Sequence, residues 1–508
     1  MSNLRLTIRA LFARVHKIFK NMKDTPLALT FDDVLLVPQY SEILPKEVSL
    51  KTKFSRNIKL NIPLVSAAMD TVTEDQMAIT MALHGGIGVI HKNCDPDEQA
   101  DMVKKVKRFE NGFIREPLVL SPKNTIAEVI QIRKDRHFKS IPITEDGTLE
   151  TKVVGMISRN DYLQKHEGCT VKERMTLLKD LLTATGEISL SAANDILEES
   201  KHSKLLMINK DGTLSALLTR RDIERNEEFP NASKDKYKRL LVAAAVGPAH
   251  NRDERVKKLV KAGVDVLIVD TAHGHSKGVI DCVKYVKEKF PKVDVIAGNI
   301  ASPQAAEALI KAGADGLKVG IGPGSICTTR IIAGVGVPQL SAVMNVAEVA
   351  ARHKIPIIAD GGLRYSGDVA KALAGGASCV MIGSLLAGTA EAPGEMIYSG
   401  GKTYKYYRGM GSMAAMTKGG KERYAQANVA DEKLVPEGIE GKILFKGEAK
   451  TEIYQLCGGV RSSMGYNGAE NISDFQKKAE FVRITGSGIK ESHPHDVSIL
   501  KEAPNYRG

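Results

Sequence analysis

Residues 320–330 read Gly-Ile-Gly-Pro-Gly-Ser-Ile-Cys-Thr-Thr-Arg, with three glycines in five positions ahead of Ser325, Cys327 and Thr329. Such a loop lets backbone approach a phosphate or a cation closely while holding a thiol beside it. A structural cysteine sits instead in an apolar run, as Cys379 does in Ala-Ser-Cys-Val-Met-Ile, where it behaves as a small inert hydrophobe. Cys327 is therefore the best nucleophile among the six cysteines (94, 169, 282, 327, 379 and 457). The six are scattered without metal-type pairing and a disulfide framework is not expected in so long a chain, which points to a reducing cytoplasm.

The loop needs a scaffold, and apolar or β-branched runs of strand length recur at 62–66, 86–90, 241–246, 264–269, 293–297, 316–319, 355–359 and 379–382. Helical segments such as 301–312 and 341–353 lie between them. Eight short buried strands alternating with helices predict an α/β fold, a parallel (β/α)8 TIM barrel rather than an open sheet. Just past the runs stand Ser66, His91 and Asn93, Asp270 to His273, Asn299, the Cys327 loop, Asp360-Gly361-Gly362 and Gly383-Ser384. A single Asp or Gly after a strand is an ordinary turn former. Recurrence at seven strand ends marks the barrel face on which chemistry is built.

About 150 residues separate the second and third runs. Inside lie two similar units. One has Pro117-Leu-Val-Leu, a helix, Ser140-Ile-Pro-Ile and Val154-Gly-Met-Ile-Ser-Arg-Asn-Asp161; the other has Ile188-Ser-Leu, a helix, Lys204-Leu-Leu-Met-Ile and Leu214-Ser-Ala-Leu-Leu-Thr-Arg-Arg-Asp222. A Ser/Thr-x-x-Asp ending alone is a helix cap. Its repetition resembles tandem cystathionine-β-synthase-type (CBS) modules, which implies a paired purine-nucleotide sensor with Asp161 and Asp222 accepting ribose hydroxyls. The expected order is a basic extension (1–28), barrel (29–97), the CBS insertion (98–228) and barrel again (229–508), with a flap over 400–450.

The string Gly-Pro-Gly-Ser-Ile-Cys-Thr-Thr-Arg, followed by Ala-Gly-Val-Gly-Val-Pro-Gln, resembles the active-site loop of the IMP dehydrogenase and GMP reductase family. The resemblance runs from Leu29-Thr-Phe-Asp-Asp-Val-Leu-Leu to about residue 507, with anchors at 322–330, 360–362, Arg423-Tyr424 and 491–493. For a bacterial-type dehydrogenase it implies that Cys327 attacks C2 of the hypoxanthine ring of IMP. Hydride is expelled to NAD and a covalent thioimidate remains, dividing a difficult oxidation into two accessible steps. Ser325, Gly361, Gly362, Gly383, Ser384 and Tyr407 are implied to hold the 5′-phosphate, a task suited to clustered backbone N–H groups. Asp360 then takes the ribose hydroxyls, Met410 and Gly411 lie against the base, and Glu437 meets the purine N1 edge.

Asp270, Asn299, Gly320 and Gly322 are implied to line the nicotinamide and ribose. No G-x-G-x-x-G opens a Rossmann unit, so the dinucleotide is expected across barrel loops. Arg423 and Tyr424, inside a long insertion after the eighth strand in which glycine pairs 400–401 and 419–420 read as hinges, are implied to enter the vacated dinucleotide site. There Arg423 acts as base in the hydrolysis, assisted by Thr329. An arginine base is demanding because its intrinsic pKa exceeds ~12. The carbonyls of Gly322, Gly324 and Cys327 match a K⁺ site that Glu491, Ser492 and His493 of a neighbouring subunit complete, which implies a homotetramer, with octamers through the CBS modules.

The formal charge of +12 is half contained in residues 1–23, which carry Arg5, Arg9, Arg14, Lys17, Lys20 and Lys23 and no acid. That segment reads as a dispensable extension rather than an address. No apolar run reaches the roughly 18 residues of a membrane span, and no aromatic-basic RNA motif is present. Two rivals stand beside the dehydrogenase. A GMP reductase ordinarily lacks the Arg-Tyr flap, and a silent nucleotide-sensing protein would not need Cys327, Thr329, Arg423 and Tyr424 together.

Overall fold

Two alternating faces of eight short strands build the core. In the computed structural model, which describes residues 25–506 except 110–113, 115–116, 137–139, 187, 189, 221–227, 249–250 and 427, these strands are β1 (Leu64–Ser66), β2 (Ile87–Ile90), β3 (Ala243–Val246), β4 (Val266–Asp270), β5 (Asp294–Ile300), β6 (Gly316–Val319), β7 (Ile357–Asp360) and β8 (Cys379–Ile382). Each pairs in parallel with the next, and β8 pairs with β1 to close the barrel. The eight expected strands are all present.

Because side chains alternate along a strand, Val65, Val89, Ala243, Ile268, Ile358 and Met381 fill the interior. Their neighbours Leu64, Ile90, Ala244, Leu267 and Val380 pack under the helices. Phe54 and Leu60, from a hairpin of Thr52–Lys53 and Lys59–Leu60, join the interior cluster. They enter at the N-terminal mouth, where Ser55 Oγ donates to Asp294 at 2.5 Å and Arg56 Nε to Asp315 at 3.1 Å.

The helices between strands are α1 (Asp75–Leu83), α2 (Pro96–Lys107), α3 (Arg252–Lys261), α4 (Lys277–Lys289), α5 (Pro303–Lys311), α6 (Gln339–Arg352) and α7 (Ser366–Ala374), and α8 (Ala449–Tyr466) follows β8. Their starts are written locally. Asp95 and Glu98 form a capping box ahead of Pro96, and Ser302 caps α5 by accepting from the Ala305 N–H, satisfying donors that lack an intrahelical partner.

Between α2 and β3 lie two small sheets. The first contains Ser140–Thr144, Val153–Ser158 and Thr176–Leu177, beside the helix Ile126–Arg136. The second contains Thr183–Thr185, Lys204–Ile208 and Leu214–Thr219, beside the helix Leu190–Glu199. Each has its own core, around Ile141 and Ile157 or Leu205 and Leu218, and Val153, Met156, Leu206, Leu214 and Leu217 join the units. The repeat is imperfect, since Thr176–Leu177 pairs antiparallel and Thr183–Thr185 parallel. Asp222 and the basic segment 1–24 lie outside the described residues.

After β8 the chain forms a hairpin of Met396–Ser399 and Lys402–Arg408, extended by Glu440–Leu444. Gly400 and Gly401 are not a flap hinge. They are the two-residue turn of this hairpin, with φ of 56° and 71° and Ser399 opposite Lys402, a turn that requires left-handed backbone at both positions. The second pair is at a true change of direction: Gly419, with φ of 144°, ends the helix Met413–Lys418, and the 3-10 turn Gly420–Tyr424 follows. Among the described residues no helix is long and apolar enough to cross a membrane.

Candidate active site

The C-terminal strand ends open into a cavity of about 400 Å³ lined by Cys327, Thr329, Asp270, Asn299, Lys318, Asp360, Ser384, Tyr407, Arg423, Tyr424 and Glu437, with Ser325, Gly320, Gly322, Gly324, Gly361, Gly362, Gly383 and Met410 completing the wall. The structure thus brings together every candidate substrate and cofactor residue except Gly411, which lies just behind Tyr424 where a Cβ would stand 2.6 Å from the phenol ring.

Cys327 is half-buried, and its thiol donates to the Thr329 hydroxyl at 3.2 Å, which in turn donates to Glu437 Oε2 at 2.7 Å. The loop is clamped to the flap by backbone bonds, Thr328 N–H to the Glu437 carbonyl at 3.0 Å and Ile439 N–H to the Ile326 carbonyl at 3.0 Å. Burial pushes the Cys94, Cys282 and Cys457 thiols up to about 11 and Cys379 further still. Those thiols are protonated at neutral pH and chemically quiet.

Gly322 has a local reason to be glycine. Its φ is 76° and a Cβ would stand 2.6 Å from Arg330, whose guanidinium crosses the loop to donate to the Ile321 carbonyl at 3.0 Å and the Val337 carbonyl at 2.6 Å. Gly361 and Gly362, with φ of 87° and 79°, follow β7 in successive left-handed conformations, and the Gly361 N–H reaches the Met381 carbonyl at 3.4 Å. The Tyr407 phenol is buried beside Gly383 and Ser325, and burial raises its pKa although the Ser325 contact opposes this. It acts as a neutral hydroxyl.

On the opposite wall, Lys318 projects from β6 into the barrel and is almost wholly enclosed. Its Nζ lies 2.8 Å from Asp270 Oδ1 and 2.5 Å from Asp360 Oδ2. Asn299 Nδ2 donates to Asp360 Oδ2 at 2.8 Å and to the Gly320 carbonyl at 2.7 Å, while Gln339 Nε2 donates to the carbonyls of Val319 and Asp360. Arg423 reaches down from the flap to pair with Asp270, and the Ala272 N–H donates to the Arg423 carbonyl at 3.0 Å. Burial works to raise the Asp270 pKa, yet Arg423 and Lys318 outweigh it and hold the carboxyl at about 2. Burial likewise opposes charge on Arg423, and Asp270 more than offsets it, raising the guanidinium pKa.

Lys318 was missed by sequence reasoning, although a charged residue inside Gly-Leu-Lys-Val, at the inward-facing position of a buried strand, is the available signal. Gln339 and Arg330 carried no such signal, because both begin helical stretches where polar residues are usual.

Two further candidate groups lie elsewhere. His493 Nδ1 is 2.8 Å from the Tyr506 hydroxyl and packs on Tyr365, and no hydrogen bond among the described residues joins 491–493 to the Cys327 loop. Asp161 accepts the Ser158 N–H at 2.5 Å and the Thr176 hydroxyl at 3.3 Å.

A closed parallel barrel with a thiol-bearing glycine loop and an Arg-Tyr flap resting in its mouth defines a nucleotide-handling oxidoreductase-type site. The comparisons with known proteins agree. The family model described as the IMP dehydrogenase / GMP reductase domain matches residues 28–495, and the chain belongs to that family. It is 53% identical over 484 residues to the inosine-5′-monophosphate dehydrogenase of Chlorobaculum parvum, covering 94% of this chain and 98% of that one. It is 52% identical to the protein of the same name from Aquifex aeolicus, covering 94% and 97%. A solved GMP reductase from Trypanosoma brucei, in complex with guanosine 5′-monophosphate, has a TM-score of 0.85 at 42% identity and covers 94% of this chain and 100% of that one. Overall architecture therefore does not separate the two siblings.

Proposed function

We propose that the chain is an IMP dehydrogenase, oxidising IMP to XMP with NAD⁺ as hydride acceptor and water as oxygen donor, the committed step of guanine nucleotide synthesis. The sulfur of Cys327 adds to C2 of the purine, hydride leaves C2 for the dinucleotide, and a thioimidate remains on Cys327. Water then adds to C2, the C2–S bond breaks, and XMP leaves, with one proton released overall. Ser325, Gly361, Gly362, Gly383, Ser384 and Tyr407 hold the phosphate, Asp360 the ribose, and Met410, Gly411 and Glu437 the base.

The observation that carries this reading is the Arg423–Asp270 pair. Asp270 belongs to the proposed dinucleotide wall with Asn299, Gly320 and Gly322, so the flap and the dinucleotide compete for one place. Asn299 Oδ1 is buried in that wall with no hydrogen-bond partner among the described residues, which suits a donor from a carboxamide or ribose. Competition orders the two half-reactions: hydride transfer with the flap out, hydrolysis with it in. For the second step Arg423 holds water with Tyr424 beside it. Because Asp270 favours the charged guanidinium, the Thr329 hydroxyl and Glu437 offer a second route for the proton from water.

A K⁺ held by the carbonyls of Gly322, Gly324 and Cys327 would steady the loop electrostatically. Three carbonyls are half of a usual six-oxygen shell, which is the reason to look to Glu491, Ser492 and His493 of a second copy, hence a homotetramer. The insertion is read as a tandem CBS sensor of purine nucleotides, and the cytoplasm as the compartment.

GMP reductase is the second reading, favoured by the full-length match to the Trypanosoma brucei enzyme. An absorbance assay decides. NADH formed from IMP, NAD⁺ and K⁺, without NADPH-dependent consumption of GMP, supports the dehydrogenase, and the reverse pattern refutes it.

A further inference from the structure

Lys92 follows β2 at the barrel mouth, and its ammonium is buried without a hydrogen-bond partner, although the residue as a whole is only half-buried. The Nζ lies against Gly247 just after β3, where a Cβ would collide with it. Two strand ends therefore fix the position of this charge. Around it stand Asp270 of β4, Arg423 and Glu422 of the flap, and Arg255 of α3.

Asp270 already pairs with Lys318 and Arg423. Lys92, Lys318, Arg423 and Arg255 thus stand at this corner with the carboxylates of Asp270, Asp360 and Glu422, four cations to three anions while the flap is seated. An unpaired buried ammonium weakens a fold, and burial does pull the Lys92 pKa down. Folding alone gives no reason for a lysine here, since a methionine would fill the same space.

We propose that Lys92 is a positioning residue for the flap: its unpartnered charge beside Asp270 weakens the hold of Asp270 on Arg423, so that the dinucleotide can displace the flap. When Arg423 withdraws, Lys318 stays paired with Asp270 and holds it for hydroxyl or amide donors of the incoming ligand. The inference rests on the reading of Asp270 as a dinucleotide residue.

The test measures NAD⁺ binding calorimetrically in full-length Cys327→Ala protein saturated with IMP, where no turnover occurs. Adding Lys92→Met should weaken NAD⁺ binding about tenfold, the scale of one partly screened charge interaction, with IMP affinity unchanged and the melting temperature raised. In an Arg423→Ala background the same substitution should leave NAD⁺ affinity unchanged, because nothing remains to be displaced. Lys92→Gln repeats the measurement should the apolar residue disturb folding. Unchanged NAD⁺ affinity with Arg423 present, or equal weakening with and without it, overturns the proposal. Failure of the parent Cys327→Ala protein to bind NAD⁺ at all would instead refute the reading of Asp270, and this inference with it.

Discussion

Asp360 of the barrel ends β7, and Asp161 of the insertion closes the short turn after the strand Val153–Ser158, yet they are satisfied in different ways. Asp161 takes the N–H of Ser158, three residues back, at 2.5 Å, and the Thr176 hydroxyl of the same small unit at a longer 3.3 Å. Asp360 takes Lys318, 42 residues away, at 2.5 Å and Asn299, 61 residues away, at 2.8 Å. A local partner closes a cap and asks nothing of the fold. Distant partners exist only because the barrel is closed, and they hold a charge at the edge of a cavity, where charge is useful to a ligand. The same residue type close to a strand end thus closes a turn in one region and builds a site in the other.

The sharpest way to break this contrast is to remove the group that the barrel site exists to position. Cys327→Ala should lower turnover by ~10³-fold or more while IMP binding survives, because phosphate and ribose contacts belong to other loops. Mass spectrometry of acid-quenched wild type should find a nucleotide adduct on Cys327. Substantial NADH production by the variant would show that the thiol is not the nucleophile.

Arg423→Ala should cost ~10²-fold to 10³-fold, and unequally. A pre-steady-state burst of NADH followed by slow turnover is expected, since the flap acts after hydride transfer. Equal loss in both phases would reduce Arg423 to a support for Asp270.

How far these roles were legible in the sequence follows from the same contrast. The eight strands were, because buried parallel strands are continuous apolar runs and their polar ends recur at one face. The Cys327 loop was, because its glycines and thiol are consecutive. The Lys318–Asp270–Asp360 cluster was not, since its members lie on three strands and meet only on closure. The glycine pair 400–401 reads as a hinge because glycine suits both a flexible joint and a tight hairpin turn, and only the register of the flanking strands tells them apart.

That cluster should also dominate local stability. Lys318→Met would leave two carboxylates enclosed with one fewer cation, a loss of about 3–5 kcal/mol visible as a lower melting temperature at pH 7. Acid should diminish the contribution of Asp270. Its folded pKa is depressed to about 2, so its stabilisation is complete above the unfolded value near ~4 and is lost as pH falls through about 2. The melting difference between wild type and Asp270→Asn should therefore be steady from pH 6 to 8 and shrink below ~4. A difference growing in acid would contradict the ion-pair account.

The smallest effects belong to the insertion. Deleting residues 110–228 should leave a folded, active barrel, because the insertion builds its own small cores whereas the stretch from 98 to Lys107 belongs to α2 and packs Val103 and Val106 into the barrel core; the deletion should abolish any response to ATP or GTP. Asp161→Ala removes a cap and should cost ~1 kcal/mol of stability in that region with basal turnover unchanged. If the carboxylate also holds ribose through its remaining lone pairs, Asp161→Ala with Asp222→Ala should weaken nucleotide binding beyond what Ser158→Ala does, since that substitution leaves the Asp161 carboxylate in place. Calorimetric titration of the full-length variants with adenine and guanine nucleotides separates the two. Equal affinity in all of them, or no binding to wild type at millimolar ligand, would leave Asp161 a cap and the paired sheets an architectural element.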